Sequence, residues 1–256
     1  MIHPMLASNA AVYAIQNATT EGKITVIVLL LLSLFSWSII ITKFRQLMIA
    51  RKASRKFFGV YSATRDPLDI KRTGEDFEGA PAYSLYIRGA DELEYQLKNN
   101  PVTVKGERRI SKASFDAVKV VLEEAAGNEA MSLEKGMIVL STAVAGGPFI
   151  GLLGTVWGVM STFAGIAEKN QASLTAMAPG VAAALVATVT GLLVAIPAMF
   201  AYNFMVTTIR HVTQELDGFA TRYANQIEHT YVDNRDIEEK LVGALRRSHA
   251  VAPGRV

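Results

Sequence analysis

The chain has 256 residues, of which half are hydrophobic and 19% are charged, and its mean hydropathy is +0.25. So little charge favours a membrane protein with a modest soluble part. The net charge of +3 is too small to indicate a nucleic-acid partner. Because there is no cysteine and the four histidines are scattered, we expect no disulfide, no metal site and no cofactor.

The first third of the chain predicts one transmembrane helix. Residues 1–23 lack the basic start and cleavage site of a signal peptide, so we expect them to be retained as an N-terminal segment. Residues 24–42 are rich in Leu, Ile and Val, as a lipid-facing span should be. Basic residues follow at once, and such charges resist translocation. They are Lys43, Arg45, Arg51, Lys52, Arg55 and Lys56.

Residues 43–136 are therefore expected to form a cytoplasmic helical domain. Turn-forming and charged residues in 59–81 indicate a connection between helices. Apolar residues recur at helical spacing in 82–97 and 111–126. In the second of these segments we expect one face, formed by Phe115, Val118 and Leu122, to be buried.

Two further spans are predicted in the second half of the chain. Residues 137–167 contain no Asp, Glu, Lys, Arg or His, and neither do residues 170–209. Uncharged apolar runs longer than about 18 residues indicate transmembrane helices. We place the second span at 137–167, a short external loop at 168–180 and the third span at 181–205. Pro179 and Gly180 would mark the start of the third span.

After the third span, residues 206–256 are expected to form a cytoplasmic helix to about residue 239 and to end in a disordered tail. Basic residues follow this span too, so three spans with an external N-terminus and a cytoplasmic C-terminus satisfy the charge pattern. Apolar residues at three- and four-residue steps predict the buried face of the helix. They are Val212, Leu216, Phe219, Tyr223 and Ile227.

The second span carries a row of glycines that another helix backbone can approach closely. They are Gly147, Gly151, Gly154 and Gly158. The row could pack within one subunit or against a neighbouring chain, and the sequence leaves both readings open. A phosphate-binding loop is excluded, because no Lys and Ser/Thr pair follows the glycines.

Hydroxyl groups lie beside these small residues. Thr155 and Thr162 are nearly aligned on the second span, and Thr188 shares a face of the third span with Ala184, Gly191 and Ala195. A threonine in a membrane helix can bond back to its own backbone or face water in a narrow pore. It cannot titrate at accessible pH, so it cannot itself carry the proton.

The three spans contain no ionisable side chain of the kind on which proton relays depend. If protons cross the membrane here, the acid that carries them must belong to another chain. We expect that chain to lie against the small, hydroxyl-bearing faces of the second and third spans.

The motifs of these two spans resemble the TolQ/ExbB/MotA proton-channel family, on its TolQ and ExbB side. The matching motifs are GTVWGVM, APG, ALVAT, GLLVAIPA and YN, which occur in this order between residues 154 and 203. The resemblance implies a homopentameric ring of long helices in a bacterial inner membrane, with the N-terminus in the periplasm. It also implies an enclosed ExbD- or TolR-like single-span partner with a membrane aspartate, and a TonB- or TolA-like transmitter.

By this resemblance Thr155 and Thr188 match the family threonines that face the enclosed aspartate. The sequence departs from the family at one position, because Ala183 stands where the ExbB and TolQ pattern usually has a glutamate. A relay through a glutamate of this subunit is therefore not expected, and the partner's acid becomes more necessary.

Three alternatives stay open. A flagellar stator subunit belongs to the same superfamily but usually has four spans, whereas three are predicted here. A membrane scaffold would pack partner helices without conducting ions. An intramembrane enzyme is disfavoured, because the spans contain no HExxH motif, no paired aspartates and no Ser–His set. We therefore expect no enzymatic activity.

Overall fold

A computed structural model describes residues 19–104, 106–169 and 174–233. In this part of the chain the helices are α1 (Thr20–Tyr61), α2 (Asp69–Thr73), α3 (Pro81–Asn99), α4 (Lys112–Glu134), α5 (Met137–Lys169) and α6 (Leu174–Tyr231). The strands are β1 (Pro101–Val104) and β2 (Glu107–Ile110).

The chain divides into two compact units. The first, here called the apolar unit, comprises Met1–Met48 and Met131–His211. The second, here called the polar unit, comprises Ile49–Ala130 and Val212–Val256. Each unit is described below by itself.

The apolar unit contains the membrane-compatible parts of three helices. By length and composition, Thr20–Tyr61, Met137–Ala167 and Met177–Tyr231 could each cross a membrane. They include the predicted spans 24–42 and 137–167, and the third includes 181–205. The fold prediction of a helical membrane protein is thus confirmed, while the bounds of the spans stay predictions. Large exposed side chains on the first span include Ile24, Ile27, Leu30, Leu31, Leu34, Phe35 and Trp37.

The start of the third long helix differs from the prediction. Helix α6 begins at Leu174, so Pro179 and Gly180 lie in its second turn and do not start it. A proline this close to the N-terminus removes only one helical hydrogen bond, so the helix continues through it. Gly180 is a packing residue, because a Cβ there would overlap Thr162 Oγ1 on α5.

Lys43 is the one residue of the predicted basic cluster that the structure buries, with 6% of its surface exposed. Its ammonium group donates to the carbonyls of Ser132, at 3.3 Å, and Leu133, at 3.0 Å. It also donates to Gln46 Oε1 at 2.8 Å. A cation at the C-terminus of a helix is favourable because it meets the last unpaired carbonyls. Lys43 therefore joins α1 to the end of α4, just before Gly136 turns the chain with φ 87°.

The polar unit is organised around an aromatic core. Phe57 of α1 is fully buried and contacts the ring of Phe219 on α6 at a centroid distance of 5.4 Å. Tyr86 of α3 packs at 5.7 Å from Phe57 and at 5.0 Å from Tyr223. The predicted apolar faces are confirmed, because their members are all buried. They are Phe115, Val118 and Leu122 on α4, and Val212, Leu216, Phe219, Tyr223 and Ile227 on α6.

A short β-hairpin interrupts the helices predicted for residues 43–136. Strands β1 and β2 pair antiparallel, from Pro101 opposite Ile110 to Val104 opposite Glu107. Helix α3 ends just before Pro101, because proline disfavours helical geometry in the residue that precedes it. Gly106 provides the positive φ of 88° that the turn needs. Ile110 also forms an isolated parallel β-bridge with Val232. The alternating segment PVTV, a Lys-Gly pair and ERRI were the sequence signal for this hairpin.

Asp66 links the loop after α1 to the end of α6. Its carboxylate accepts hydrogen bonds from the Tyr231 hydroxyl at 2.8 Å, Arg72 Nη1 at 2.7 Å and the Leu68 backbone N–H at 2.9 Å. Burial acts to raise the pKa of Asp66, but these three hydrogen bonds outweigh it and lower the pKa. The ionised form is therefore the one that stabilises the polar unit.

This shift predicts acid-sensitive stability. A carboxyl whose pKa is lower in the folded state stabilises the fold above the unfolded-state pKa of about 4 and loses this effect as pH falls below it. We expect Asp66→Asn to lower the thermal midpoint at pH 7, and the difference from the unmutated chain to shrink below about pH 4.

The control for this experiment is Asp116→Asn, which removes an exposed carboxylate 4.0 Å from Lys119 Nζ and should change little at either pH. Circular dichroism melts of both variants between pH 7 and 3 provide the measurement. A loss for Asp66→Asn that is the same across this range would contradict the role given to the ionised carboxylate.

Candidate helix-packing and ion-pathway site

The predicted glycine groove of α5 is occupied by α6 of the same chain. A Cβ added to Gly147 would lie 3.1 Å from the carbonyl oxygen of Gly191 and 3.2 Å from Ala195 Cβ. One added to Gly151 would lie 3.0 Å from Ala187 O and 3.0 Å from Thr188 Cα. Such distances are tighter than ordinary carbon contacts, so a side chain at either position would push the two backbones apart by a few tenths of an ångström.

The next two glycines extend the same contact. At Gly158 a Cβ would meet Ala184 Cβ at 2.8 Å, and at Gly154 it would meet Ala187 Cβ at 2.6 Å. Thr25 of α1 lies against Gly154 as well, since its Cγ2 would be 3.0 Å from the added atom. The second and third spans are thus in backbone contact, and the first span packs beside them.

The glycine groove is filled within one subunit and not by a neighbouring chain. The expectation that a partner helix lies on these small faces is therefore corrected. The small residues predicted to pack against a partner helix face each other inside one subunit. They are Gly147, Gly151, Gly154 and Gly158 of α5 with Ala184, Gly191 and Ala195 of α6. Complementary small surfaces on consecutive helices of one chain meet at high effective concentration, which explains this outcome. These small surfaces are therefore already covered within the chain.

The three predicted threonines all donate their hydroxyl proton to a backbone carbonyl. Thr155 donates to Leu152 O at 2.6 Å, and Thr162 donates to Gly158 O at 2.7 Å, both within α5. These bonds match the back-bonding reading of a membrane threonine. Thr188 differs, because its hydroxyl crosses from α6 to the carbonyl of Gly151 on α5 at 3.1 Å. Thr188 is therefore both a packing residue and the polar link between the two spans.

Thr155 and Thr188 lie close together along the helix pair. Thr188 bonds Gly151, which is one helical turn before Thr155, and both threonines are half-buried. Large apolar side chains beside them are exposed, among them Val156 at 56% and Val189 at 55%. The site is thus a narrow polar strip at the edge of an uncovered apolar surface.

Within the described part of the second and third spans, no Asp, Glu, Lys, Arg or His adjoins this strip. Likewise, no group of potential metal ligands occurs among the residues that the structure describes. The strip can accept or pass on a hydrogen bond, but it holds no group that binds and releases a proton at accessible pH.

Two prolines inside these helices belong to the site and were not predicted from sequence. Pro148 lies within α5 and Pro197 within α6. Each lacks an N–H, so the carbonyls of Val144 and Leu193 lose their helical donors. Because Gly147 packs on Ala195, both prolines lie within about one turn of the same depth. The motifs GGP and AIPA carry this signal in the sequence.

Comparison with known proteins agrees with this arrangement. The profile of the MotA/TolQ/ExbB proton channel family matches residues 94–218. The Tol-Pal system protein TolQ of Haemophilus influenzae is 30% identical over 214 residues, covering 81% of this chain and 89% of that protein. The biopolymer transport protein ExbB of Xanthomonas campestris pv. campestris, strain B100, is 31% identical over 198 residues, covering 77% and 78%.

A second ExbB protein, from Pseudomonas putida, is 33% identical over 196 residues. That match covers 76% of this chain and 56% of the longer relative. The region matched by the family profile, residues 94–218, includes the glycine groove, Thr188 and both interior prolines, Pro148 of α5 and Pro197 of α6. With three membrane-compatible helices and relatives of both names, the chain belongs to the MotA/TolQ/ExbB proton channel family.

Proposed function

We propose that the chain is the ring-forming subunit of an inner-membrane proton channel that converts the proton motive force into mechanical work. In this proposal it acts with a single-span partner resembling ExbD or TolR, which carries a membrane aspartate. The work would energise TonB-dependent import or Tol-Pal envelope maintenance through a TonB- or TolA-like transmitter. Membership of a proton channel family, and the absence of an enzymatic motif, support this role over an enzyme.

The observation that carries the proposal is a polar strip without an acid. Thr155 and Thr188 lie half-buried beside exposed apolar side chains, and the described parts of the surrounding spans hold no Asp, Glu, Lys, Arg or His. Proton transport across a membrane depends on such a group. Because Ala183 stands at the usual family glutamate position, the acid is best supplied by a partner helix laid along the strip.

The uncovered apolar faces support assembly of several subunits into a ring. On α5 and α6 they include Phe149, Leu152, Trp157, Met160, Phe163, Leu185, Leu193, Ile196 and Phe200. Lipid can cover one side of such a helix pair, and neighbouring subunits and an enclosed helix can cover the others. We propose a pentamer with the N-terminus in the periplasm and the C-terminus in the cytoplasm, in keeping with the basic residues after the first and third spans.

Two alternatives remain distinct from this proposal. A flagellar-type stator subunit would usually carry four spans, whereas three candidate spans occur among the described residues. A non-conducting scaffold would use the same packing surfaces without passing protons. The relatives named TolQ and ExbB favour the proposed role over the stator.

Proton flux separates the proposed channel from a scaffold. The chain would be purified alone and, from cells that also express its genomic neighbours, together with the single-span protein that coassembles with it. Both samples would be reconstituted into vesicles under a proton gradient. We expect flux from the complex and background flux from the chain alone, because the spans hold no titrating group. Equal flux from the two samples, or none from the complex, would contradict the proposal.

Removing the crossing hydroxyl should impair the channel. Thr188→Val keeps the shape of the side chain but removes its oxygen, and we expect at least a roughly tenfold loss of flux, which corresponds to about 1.4 kcal/mol. Thr188→Ser should retain most of the flux. The control is Thr190→Val, which removes a hydroxyl that donates to Val186 O at 2.8 Å on another face of α6. Unaltered flux in Thr188→Val would remove this residue from the pathway.

A further inference from the structure

A groove between α4 and α6 lies open on the surface of the polar unit. Its volume is about 430 Å³, and cavities of roughly 300–1,000 Å³ are large enough to take up a ligand or a group of side chains. The floor is apolar and mostly small, with Leu122 and Ala126 on α4 and Ala220 and Ala224 on α6. Because alanines do not fill the space between the two helices, a third apolar surface can enter there.

The two helices run in opposite directions along this groove. Ile110, just before α4, forms a bridge with Val232, just after α6. Further along, Leu122 and Tyr223 both lie against Gly89 of α3 and are therefore at the same level. The groove thus has a near end, toward β2 and the end of α6, and a far end one to two helical turns further away.

The charges of the groove differ between its two ends. Lys119 lies at the near end, whereas Glu123 and Asp217 lie farther along. Lys119 is engaged on its own helix, with Nζ 4.7 Å from the ring centroid of Phe115 and 4.0 Å from the carboxylate of Asp116. Among the described residues neither Glu123 nor Asp217 forms an ion pair, and both are exposed. A partner with basic groups at the far end would therefore fit best.

The chain leaves α6 beside the near end. Helix α6 ends at Tyr231, and the backbone N–H of Asp233 donates to Ile110 O at 3.0 Å. Asp233 is buried, and it is the last residue that the structure describes. The first turn of α4 begins two residues after Ile110, so the following segment starts next to the helix that forms one wall of the groove.

The sequence of that segment predicts an amphipathic helix over residues 237–247. Its apolar residues recur at helical spacing and share one face; they are Ile237, Leu241, Ala244 and Leu245. Asp236 followed by Glu239 is the pattern of a helix N-cap. Acidic residues stand in the first turn of this helix, and Arg246 and Arg247 stand in its last turn.

The lengths of groove and segment agree. Lys119 is seven residues beyond the start of α4, or about 10 Å along its axis. The chain from Asp233 to Ile237 spans up to about 14 Å when extended, so it can reach this end. A helix over 237–247 is about 15 Å long, and the wall of α6 from Asn225 to Asp217 is about 12 Å long.

We infer that residues 237–247 dock in the groove between α4 and α6 of their own subunit as an amphipathic helix that runs parallel to α4. In this direction Glu238 approaches Lys119 at the near end, and Arg247 approaches Asp217 at the far end. The opposite direction would bring like charges together at both ends. Leu241 and Leu245 lie on the alanine floor. This docking ties α4 to α6 and goes beyond the proposed function, because it does not depend on proton transport.

Disulfide trapping tests the docking, because the chain has no cysteine of its own. In the full chain, Ala220→Cys would be combined in turn with Leu241→Cys, Ala244→Cys or Leu245→Cys, and the membranes treated with a mild oxidant. A disulfide needs Cα atoms within about 7 Å. We expect at least one pair to oxidise roughly tenfold faster than the same pair built on Arg222→Cys, because docking raises the effective concentration. Arg222 is exposed and adjoins the groove residues in sequence but does not line the groove.

The products decide which occupant fills the groove. A disulfide within one chain supports the inference and leaves the protein at monomer size on a non-reducing gel. A disulfide between chains, which chains with single cysteines would form when expressed together, assigns the groove to a neighbouring subunit and overturns it. Oxidation of all three pairs at the rate of their Arg222→Cys controls also overturns it.

Charge reversal tests the direction of the docked helix. Asp217→Lys and Arg247→Asp should each slow the fastest disulfide by about two- to fivefold, the range that an exposed ion pair supports. Combining the two should restore the rate, because the pair is then reversed and not lost. Glu215→Lys is the matched control on an exposed part of α6 outside the groove and should leave the rate unchanged. A combined variant no faster than the single variants would overturn the proposed direction.

Discussion

Gly191→Ala is expected to disrupt the packing of α6 against α5 and to destabilise the apolar unit. A Cβ at this position would lie 2.5 Å from the carbonyl oxygen of Gly147 and 3.1 Å from Gly151 Cα. Both obstacles are backbone atoms, so no side-chain rotation can relieve the clash, and the helices must separate. Overpacking of this kind costs about 1–3 kcal/mol or more. Separation would also lengthen the hydrogen bond of Thr188 to Gly151.

The matched control for this change is Gly165→Ala on α5. A Cβ at Gly165 meets nothing within 4 Å, so the substitution should be neutral or should stabilise the helix by up to about 1 kcal/mol. Thermal unfolding in detergent, followed by circular dichroism and tryptophan fluorescence, provides the measurement. If Gly191→Ala melts with or above the unmutated chain, the backbone contact between the two spans is not what holds them together.

Much of this helix pair could be predicted from sequence, because membrane helices follow simple periodic rules. The glycine spacing on α5 predicted a groove, and the small face of α6 predicted a smooth surface. Which surface fills the groove could not be predicted, since Ala184 would suit a neighbouring chain as well as its own. The three-dimensional contact of Ala184 with Gly158 supplies that answer.

The hydrogen-bond partner of a threonine hydroxyl is harder to predict from the sequence. Thr155 and Thr188 read alike in the sequence, yet one donates within its helix and the other donates across the interface. The difference depends on the opposing backbone, because Gly151 leaves its carbonyl open to a neighbouring helix. The start of α6 was likewise missed, because proline is favoured in a first turn but is tolerated at Pro179 in the second.

The polar unit, too, could be predicted only in part from the sequence. Apolar spacing identified the buried faces of α4 and α6, since burial repeats with the helical period. The hairpin formed by β1 and β2 was overlooked, because each strand has four residues and so gives a weak alternating signal. The aromatic core depends on residues far apart in sequence, such as Phe57 and Phe219, which no local pattern pairs.

Phe57→Ala is expected to give the largest loss of stability in the polar unit. The side chain is fully buried. Its ring centroid lies 5.5 Å from that of Phe77 and 5.4 Å from that of Phe219. Truncation of a buried Phe to Ala costs about 3–5 kcal/mol, because it removes apolar burial and leaves a cavity. The aromatic pair contacts, about 0.5–1.5 kcal/mol each, are part of this loss.

A loss of this size is a large fraction of the 5–15 kcal/mol that typically separates folded from unfolded domains. Phe57→Leu should cost less, since a leucine refills part of the cavity. The control is Tyr95→Ala on α3, where 58% of the side chain is exposed and little burial is lost. Limited proteolysis and thermal melts of the three variants would rank them. If Phe57→Ala is no more protease-sensitive than Tyr95→Ala, the aromatic cluster does not hold this unit together.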